Sequence, residues 1–327
     1  MDIKGPIARQ TLLSMYEAMR KIRAFEGKVA EIYHLKEIKC PVHLCIGQEA
    51  VAAGVCQTLK KEDYLFSNHR GHGHLIAKGA GLKYLMAELF GKKTGCSGAR
   101  GGSMHLVDIE RNVPGTSAIV GGGIPLAVGA ALASSVKKNN RVSAAFFGDG
   151  AFDEGVFHES MNFAALKKLP VLFVCENNLY ATNSPQRARH ARCDIAGFAG
   201  AYGIKGVRVD GNDAIEVHAA AQEAVNNARL GRGPALIEAM TYRWMGHVGP
   251  EEDWKKGLRE KTELDSWKGS CPIKKIKRVL LNENIAAQNE IDAIDARIEA
   301  DVNEAVEFAR KSPEPEGKGL FEGLFCE

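Results

Sequence analysis

The sequence has no long run of large apolar side chains and no apolar centre near its start. Its opening, MDIKGPIARQ, has neither the hydrophobic core of a secretory signal nor the arginine-rich character of a transit peptide. The uncharged stretch from Asn112 to Val136 is rich in glycine and poor in large apolar residues, which argues against a membrane span. We therefore expect a cytoplasmic protein without a membrane span, in which this stretch forms a buried helix of small residues.

Cysteine pairs and a strong charge imbalance are also absent. The 8 cysteines show no CxxC spacing and no pattern of a secreted disulfide domain, so free thiols in a reducing compartment are expected. With 43 basic and 40 acidic residues the net charge is +3, which gives no electrostatic basis for a nucleic-acid partner. A GxGxxG turn between strand and helix and a GxxxxGK[ST] loop are both missing, which argues against dinucleotide and nucleoside-triphosphate sites.

The most informative stretch of the sequence runs from Arg141 to Tyr180. Residues 142–147 are uncharged and mostly apolar, which predicts a buried strand that ends at Gly-Asp-Gly, 148–150. Apolar residues then recur at helical spacing over 157–166, and a second apolar run covers 171–174. The pattern predicts a strand, a helix and a second strand.

Polar side chains follow both predicted strands. Parallel strands joined by a crossover helix bring their carboxyl ends to one edge of the sheet, so Asp149 and Asn178 should lie close together although 29 residues separate them. Carboxylate and amide oxygens are ligands that suit Mg²⁺, which commonly shares its shell with phosphate oxygens. Gly148 and Gly150 allow a tight turn and close approach of a phosphate. The sequence therefore predicts a magnesium-diphosphate site.

These residues also carry a family resemblance. GDG, 26 further residues and then Asn177-Asn178 is similar to the motif of thiamine-diphosphate enzymes. From about Met15 to the tail, the chain resembles the α subunit of the first component of 2-oxo acid dehydrogenases, of the pyruvate or acetoin type. The resemblance implies thiamine diphosphate and Mg²⁺ as cofactors. It also implies the α/β thiamine-diphosphate-binding fold, a mostly parallel sheet with helices on both faces.

The resemblance and the periodicity together predict one domain over residues 1–327. Apolar residues at helical spacing indicate an N-terminal helix over about 7–39, which Pro41 follows. A charged amphipathic pattern indicates a C-terminal helical tail within about 273–327. Short strands are expected at 63–66, 207–209 and 234–240, with a helix over about 213–230.

The resemblance assigns residues to the cofactor and the metal. Magnesium is assigned to Asp149, Asn178 and the main-chain carbonyl of Tyr180. Arg70 matches the diphosphate-binding arginine, a suitable role because its planar guanidinium pairs with phosphate oxygens. The full set of implied cofactor-binding residues is His69, Arg70, Ala118, Val120, Asp149, Gly150, Ala151, Asn178 and His247.

Three histidines match catalytic positions of the family. His247 follows a predicted strand in the motif YR-x-x-GH, His43 lies in HL-x-x-GQEA, and His105 lies in GGSMH. Each has a simpler alternative: His43 as a hydrogen-bonded core histidine, and the segment of His105 as a flexible surface loop. The run HRGHGH at 69–74 also raises zinc, but no Cys, Asp or Glu stands at ligand spacing to complete a tetrahedron.

Several positions depart from the family pattern. Asp153-Glu154 replaces a common Asn-Gln, and we expect these acids in the first turn of a helix, where the dipole favours them, rather than as modifiers of the magnesium site. His69 stands where pyruvate-type members often have tyrosine, and HRGHGH looks more like the acetoin type. Val248 replaces a serine phosphorylated in mitochondrial relatives, so that control should be absent. The divergent segment 248–267 leaves the substrate and the acyl acceptor open.

The implied function is that of an α subunit. The resemblance implies decarboxylation or cleavage of a 2-oxo acid or an acetoin-like substrate, with transfer of the acyl unit to a lipoyl-type acceptor. It also implies an α2β2 heterotetramer in which the β subunit supplies the glutamate that activates thiamine, together with a lipoyl acyltransferase partner. The chain alone should be inactive. The alternatives are the N-terminal subunit of a split transketolase-like enzyme and a non-catalytic homologue.

Overall fold

A computed structural model describes residues 7–321 of the chain, which folds around a six-stranded parallel sheet. The strands are β1 Tyr64–Ser67, β2 Gly115–Thr116, β3 Ser143–Gly148, β4 Val171–Asn177, β7 Lys205–Asp210 and β8 Ala235–Met240, and a small hairpin consists of β5 Tyr180–Ala181 and β6 Ser184–Pro185. The order across the large sheet is β2-β1-β3-β4-β8-β7. All its neighbours run parallel, so all strands end at the same edge.

Alternate side chains of the central strands enter two separate hydrophobic clusters. On β3, Ala144 and Phe146 belong to one cluster, whereas Ala145 and Phe147 belong to the other. Successive residues of a strand point to opposite faces, and burial on both faces explains why β3 and β4 are almost continuously apolar. The predicted strands at the centre of the sequence are therefore the centre of the sheet.

Helices cover both faces of the sheet. Their bounds are α1 Arg9–Ile32, α2 Glu49–Cys56, α3 His72–Ala77, α4 Leu82–Leu89, α5 Gly123–Lys137, α6 Gly155–Leu166, α7 Gln186–Arg189, α8 Ala214–Arg229, α9 Lys261–Gly269, α10 Pro272–Asn282 and α11 Gln288–Lys311. Helices α1, α2 and α8 supply one hydrophobic cluster, and α5 and α6 supply the other. The predicted α/β class, with a parallel sheet between two layers of helices, is confirmed.

The terminal elements differ in extent from the sequence prediction. The N-terminal helix ends at Ile32 and continues only as a 3₁₀ turn, Tyr33–Leu35. The tail forms two helices, α10 and α11, and a short 3₁₀ segment, Gly317–Phe321. The outer ends of the predicted domain and tail, 1–6 and 322–327, lie outside the described residues. The extent of a single domain stays a prediction.

The glycine-rich stretch is buried on one side only. Ile124, Ala127 and Ala131 of α5 are buried, but Leu126 is 59% and Val136 74% exposed. The expected buried helix of small residues is confirmed for one face only, because α5 packs that face on the sheet and leaves apolar side chains exposed on the other. Among residues 7–321, no helix has the length and apolar character needed to cross a bilayer.

Candidate active site

A cavity of about 270 Å³ lies at the carboxyl ends of the central strands. β3 and β4 are parallel neighbours joined by α6, and Gly148 at the end of β3 pairs with Glu176 near the end of β4. The residues that follow these strands, Asp149, Asn178 and Tyr180, line this one cavity. The structure thus brings together the three residues predicted as metal ligands.

Two glycines shape the cavity. A Cβ atom on Gly150 would lie 2.8 Å from the Ala181 Cβ, so glycine lets the turn after β3 pack against the β5 hairpin. Gly47 has φ +103°, and a Cβ atom there would lie 2.4 Å from the carbonyl oxygen of Tyr242. Only glycine fits this position, which delivers Gln48 to the cavity.

Gln48 is a cavity residue that the sequence analysis did not single out. Its Oε1 accepts a hydrogen bond of 3.0 Å from Asn178 Nδ2, which leaves the Asn178 Oδ1 to accept from the Tyr180 backbone N–H at 3.3 Å. The Gln48 Nε2 is buried and has no partner among the described residues. Its signal in the sequence was its place in HL-x-x-GQEA, five residues after His43.

The Asp149 carboxylate is 1% exposed and forms an ion pair inside the protein. Arg189, the last residue of α7, donates from Nη2 to Asp149 Oδ2 and from Nη1 to Asp153 Oδ2. Burial raises the pKa of Asp149, and the Arg189 guanidinium counteracts this by favouring the charged carboxylate. Arg189 was not found from the sequence, since it lies 40 residues beyond Asp149 in a helix of four residues, which is too short to show periodicity.

The acidic pair after the glycine turn is placed differently from our expectation. Asp153 ends a 3₁₀ turn, Asp149–Asp153, and faces Arg189 and His190. Glu154 is the residue immediately before α6 and lines the cavity. The prediction that both acids lie in the first helical turn is wrong, because the chain makes one extra turn before the helix begins.

Three histidine rings meet at one end of the site, and we call them the histidine cluster: His43, His69 and His247. Their ring centroids are 4.9 Å apart for His43 and His69, 5.3 Å for His43 and His247, and 5.4 Å for His69 and His247. His69 and His247 line the cavity, and His43 lies behind them. The His43 Nδ1 is buried without a hydrogen-bond partner among the described residues.

The histidine cluster is held in the neutral form. Burial, and then the nearby Arg70 guanidinium, lower the pKa of His43 to about 4, of His69 to about 2 and of His247 to about 3. Neutral rings at neutral pH can accept or donate one hydrogen bond at each nitrogen. The cluster can therefore form hydrogen bonds to a substrate without adding charge beside the arginine.

Arg70 lies buried beside the cavity with its guanidinium fixed by two residues. Nη1 donates to the Leu44 carbonyl at 3.0 Å, and Nη2 donates to the His247 carbonyl at 3.1 Å and to its ring Nδ1 at 3.1 Å. Burial lowers the pKa of Arg70 to about 10, so it stays cationic at neutral pH. It supplies a fixed positive charge to the cavity lining.

The remaining predicted residues divide into two groups. Gly150, Ala151 and Val120 line the cavity, and Val120 is 51% exposed at its mouth beside Ile119. Ala118 is half-buried and does not belong to the cavity lining; nor does His105, which is exposed. For these two residues the predicted roles stay predictions.

The other histidines of HRGHGH face inward. His72 contacts Glu26 Oε1 through Nδ1 at 3.0 Å and Ser103 Oγ through Nε2 at 2.9 Å. His74 contacts Ser67 Oγ through Nδ1 at 2.7 Å and Glu176 through Nε2 at 3.2 Å. Both nitrogens of each ring are thus engaged in separate networks, and no group of three or more His, Cys, Asp or Glu is placed to hold a metal within residues 7–321.

The divergent segment 248–267 packs against a predicted metal ligand. Glu263 accepts hydrogen bonds from the Tyr180 hydroxyl at 2.8 Å and from the Tyr242 hydroxyl at 3.0 Å. The Arg259 guanidinium lies 4.1 Å from the centre of the Tyr180 ring. The segment therefore fixes the orientation of Tyr180, a contact that the sequence pattern did not indicate.

Comparison with known proteins adds independent evidence. Residues 17–318 match the family described as "Dehydrogenase E1 component". The chain is 43% identical over 319 residues to the α subunit of acetoin:2,6-dichlorophenolindophenol oxidoreductase from Bacillus subtilis (strain 168), an alignment that covers 98% of this chain and 95% of the relative. It is 41% identical over 330 residues to the pyruvate dehydrogenase E1 component subunit alpha of Porphyra purpurea, covering 98% and 94%.

A bacterial pyruvate dehydrogenase E1 component subunit alpha, from Rhizobium meliloti (strain 1021), is 39% identical over 310 residues, covering 94% of this chain and 88% of the relative. These relatives support the dehydrogenase interpretation and not the transketolase-like alternative. The cavity, with an aspartate and an asparagine at adjacent strand ends, fits thiamine diphosphate with a divalent metal, the cofactors of this family. The chain therefore belongs to the dehydrogenase E1 component family, as an α subunit of its thiamine-diphosphate-dependent 2-oxo acid dehydrogenases.

Proposed function

We propose that this α subunit, assembled with a β subunit, cleaves acetoin or a closely related small 2-oxo compound and passes the acyl unit to a lipoyl-type acceptor. Decarboxylation of pyruvate is the second candidate, supported by the 41% identity to the Porphyra purpurea subunit. The observation that carries the first choice is the histidine cluster, in which His69 occupies a position where pyruvate-type members often have tyrosine. An imidazole there offers the substrate a ring nitrogen that donates or accepts a hydrogen bond.

The residues at the cavity fit the cofactor and its metal. Asp149 and Asn178 provide one carboxylate and one amide oxygen, the hard ligands that Mg²⁺ prefers. The Gln48 Nε2 is a buried donor without a partner, as expected where an acceptor atom of a ligand is to bind. Arg70 supplies positive charge at the same cavity, which suits the diphosphate.

We propose the following roles for this chain's residues. Asp149, Asn178 and the Tyr180 carbonyl hold the metal, and Arg70 binds the diphosphate. When bound, thiamine diphosphate supplies the nucleophilic carbon and accepts the charge released when a carbon–carbon bond breaks. His247 lies next to Arg70, and its ring presents the Nε2–H to the substrate as a donor because Nδ1 accepts from the guanidinium.

The mouth of the cavity is lined by apolar side chains. Val120 and Ile119 are exposed there, and we propose that they pack on the rings of the cofactor. For Ala118 we propose backbone contact with the aminopyrimidine, which depends little on the side chain. His43 and His105 are proposed as substrate-side residues, His43 through its contacts with the other two rings of the histidine cluster.

A β subunit is the partner implied by the family, and we propose an α2β2 heterotetramer. Exposed apolar side chains support a partner surface: Ile119 and Val120 at the cavity, and Leu126, Val136, Phe163 and Leu166 on α5 and α6. Burial of Ile119 and Val120 by the partner would cover the mouth of the cavity. We also propose a lipoyl acyltransferase as a further partner, one domain for this chain and a cytoplasmic location.

The test is reconstitution with a β subunit from the same organism. Calorimetry should show binding of thiamine diphosphate with Mg²⁺, and the assembled protein should reduce a dye such as 2,6-dichlorophenolindophenol with acetoin faster than with pyruvate. The chain alone should show no turnover. Faster turnover with pyruvate would favour the second candidate, and absence of cofactor binding to the assembled protein would exclude both.

A further inference from the structure

The ion pair between Arg189 and Asp149 is not accounted for by the roles above. Arg189 donates to a carboxylate that is proposed to bind Mg²⁺, and its side chain is only 14% exposed. The Arg189 guanidinium thus lies beside the carboxylate that is proposed to bind the metal ion.

A second acid holds this cation in place. Asp153 accepts from Arg189 Nη1 through one oxygen and contacts His190 Nε2 through the other. Asp153 is one of the two acids that replace the common Asn-Gln of the family, so the anchor belongs to the part of the sequence that departs from the relatives' pattern. Arg189 and its anchor therefore form one arrangement, which we call the arginine latch: Asp149, Asp153, Arg189 and His190.

The charges in the arginine latch determine how it affects metal binding. The Asp149 carboxylate, at 1% exposure, would be desolvated without compensation if no positive charge lay beside it. Mg²⁺ at either oxygen of this carboxylate would lie within a few ångströms of the guanidinium, and the two cations would repel each other. One cation must leave when the other arrives.

We propose that Arg189 is the internal counter-ion of Asp149 in the cofactor-free protein, and that Mg²⁺ with thiamine diphosphate replaces it. Asp153 holds the Arg189 guanidinium close to Asp149. The metal ion must therefore displace the guanidinium to bind the Asp149 carboxylate. The inference rests on the proposed metal role of Asp149. Arg189 and Asp153 then set the affinity for the metal although neither is a metal ligand.

The chain offers a matched control on the same helix. Arg187 lies two residues before Arg189 on α7 but is exposed, so Arg187→Ala removes the same charge without touching Asp149. Asp153→Asn removes the anchor, leaves Arg189 in the chain and restores an amide common in relatives. This variant also keeps the inference testable if Arg189→Ala fails to fold.

The experiment measures Mn²⁺ binding by electron paramagnetic resonance, with Mn²⁺ in place of Mg²⁺, to the αβ assembly in the presence of thiamine diphosphate. Arg189→Ala should bind Mn²⁺ about tenfold more tightly than the wild type, equivalent to 1.4 kcal/mol. Asp153→Asn should change affinity in the same direction by a smaller factor. Arg187→Ala should stay within about twofold of wild type.

A second readout is thermal stability with and without the cofactor. The rise in Tm on adding Mn²⁺ and thiamine diphosphate should be larger for Arg189→Ala than for wild type, because the cofactor-free variant lacks the counter-ion. Unchanged or weaker Mn²⁺ binding by Arg189→Ala would overturn the inference, and weaker binding would identify Arg189 as a diphosphate ligand. A wild-type assembly without saturable Mn²⁺ binding would instead refute the metal role of Asp149 and the inference with it.

Discussion

Arg70 and His247 share a hydrogen bond of 3.1 Å although 177 residues separate them in the chain. Arginine only donates, so the His247 Nδ1 must be the acceptor and its single proton lies on Nε2. The same guanidinium also holds the His247 carbonyl. Arg70 thus fixes the tautomer of His247 and adds to the effect of burial in lowering the pKa of its ring.

This relationship predicts different outcomes for two replacements of His247. His247→Asn keeps an acceptor near the Nδ1 position but removes Nε2, so turnover should fall by about 10² to 10⁴, the range for a positioned proton-transfer group. His247→Gln places an amide near Nε2 and should retain more activity. Single-turnover kinetics measures the loss of turnover. Calorimetry should show cofactor affinity within about threefold of wild type for both variants. Loss of cofactor binding would place His247 with the diphosphate ligands.

Asp149→Ala should show the opposite pattern. It removes the anionic protein ligand proposed for the metal. Loss of a residue that only hydrogen-bonds to a metal ligand lowers metal affinity roughly 10- to 100-fold, so affinity for thiamine diphosphate with Mg²⁺ should fall by more than this. The fold should survive because Arg189 keeps its contact with Asp153. Calorimetry measures the affinity, and circular dichroism checks the fold. Equal cofactor affinity in this variant and wild type would exclude Asp149 as a ligand.

Asp253→Ala tests the anchoring of the divergent segment. The Asp253 carboxylate accepts from Arg243 Nη1 at 2.8 Å and lies 3.3 Å from Arg259 Nε, and both guanidiniums are almost fully buried. Removing it leaves buried positive charge unpaired, so the free energy of unfolding should fall by about 3–5 kcal/mol. Denaturant unfolding measures the change. Glu251→Ala, at an exposed ion pair with Lys256, is the control and should not alter stability. Similar small effects in both variants would contradict the role of Asp253.

The neutral histidine cluster predicts a dependence of stability on pH. Burial lowers the pKa of His69 from 6.5 to about 2, so below pH 6.5 the unfolded chain takes up a proton that the folded protein does not. Stability should therefore fall as the pH drops through this range. Between pH 7.5 and 5.5 the wild type should lose about 1 kcal/mol more than His69→Asn. Denaturant unfolding at both pH values measures this, and parallel losses would show that His69 is not held neutral.

The sequence was sufficient to predict the centre of the molecule. Continuous apolar runs separated by a helical period determine a parallel strand pair, and the rule that ligands bind at the strand ends then relates Asp149 to Asn178. The elements around them were predicted for the same reason: the strand over 234–240 and the helix over 213–230 lie within one or two residues of β8, Ala235–Met240, and α8, Ala214–Arg229.

The contacts that complete the site could not be predicted. Arg189 and Glu263 contact the cavity residues Asp149 and Tyr180 from the short helices α7 and α9, where too few residues repeat to show which way a side chain points. Gln48 was visible in a motif, but its orphaned Nε2 is a property of its neighbours in space. The position of Asp153 depended on one extra 3₁₀ turn, a boundary detail that hydrogen bonding decides and composition does not.

The half-exposed α5 has a practical consequence. A chain synthesised without the β subunit would expose Leu126 and Val136 of α5 together with Phe163 and Leu166 of α6 to water. An exposed apolar surface of this kind promotes self-association. Yield and monodispersity in recombinant production should therefore be higher when the β subunit is co-expressed with this chain than when the chain is expressed alone.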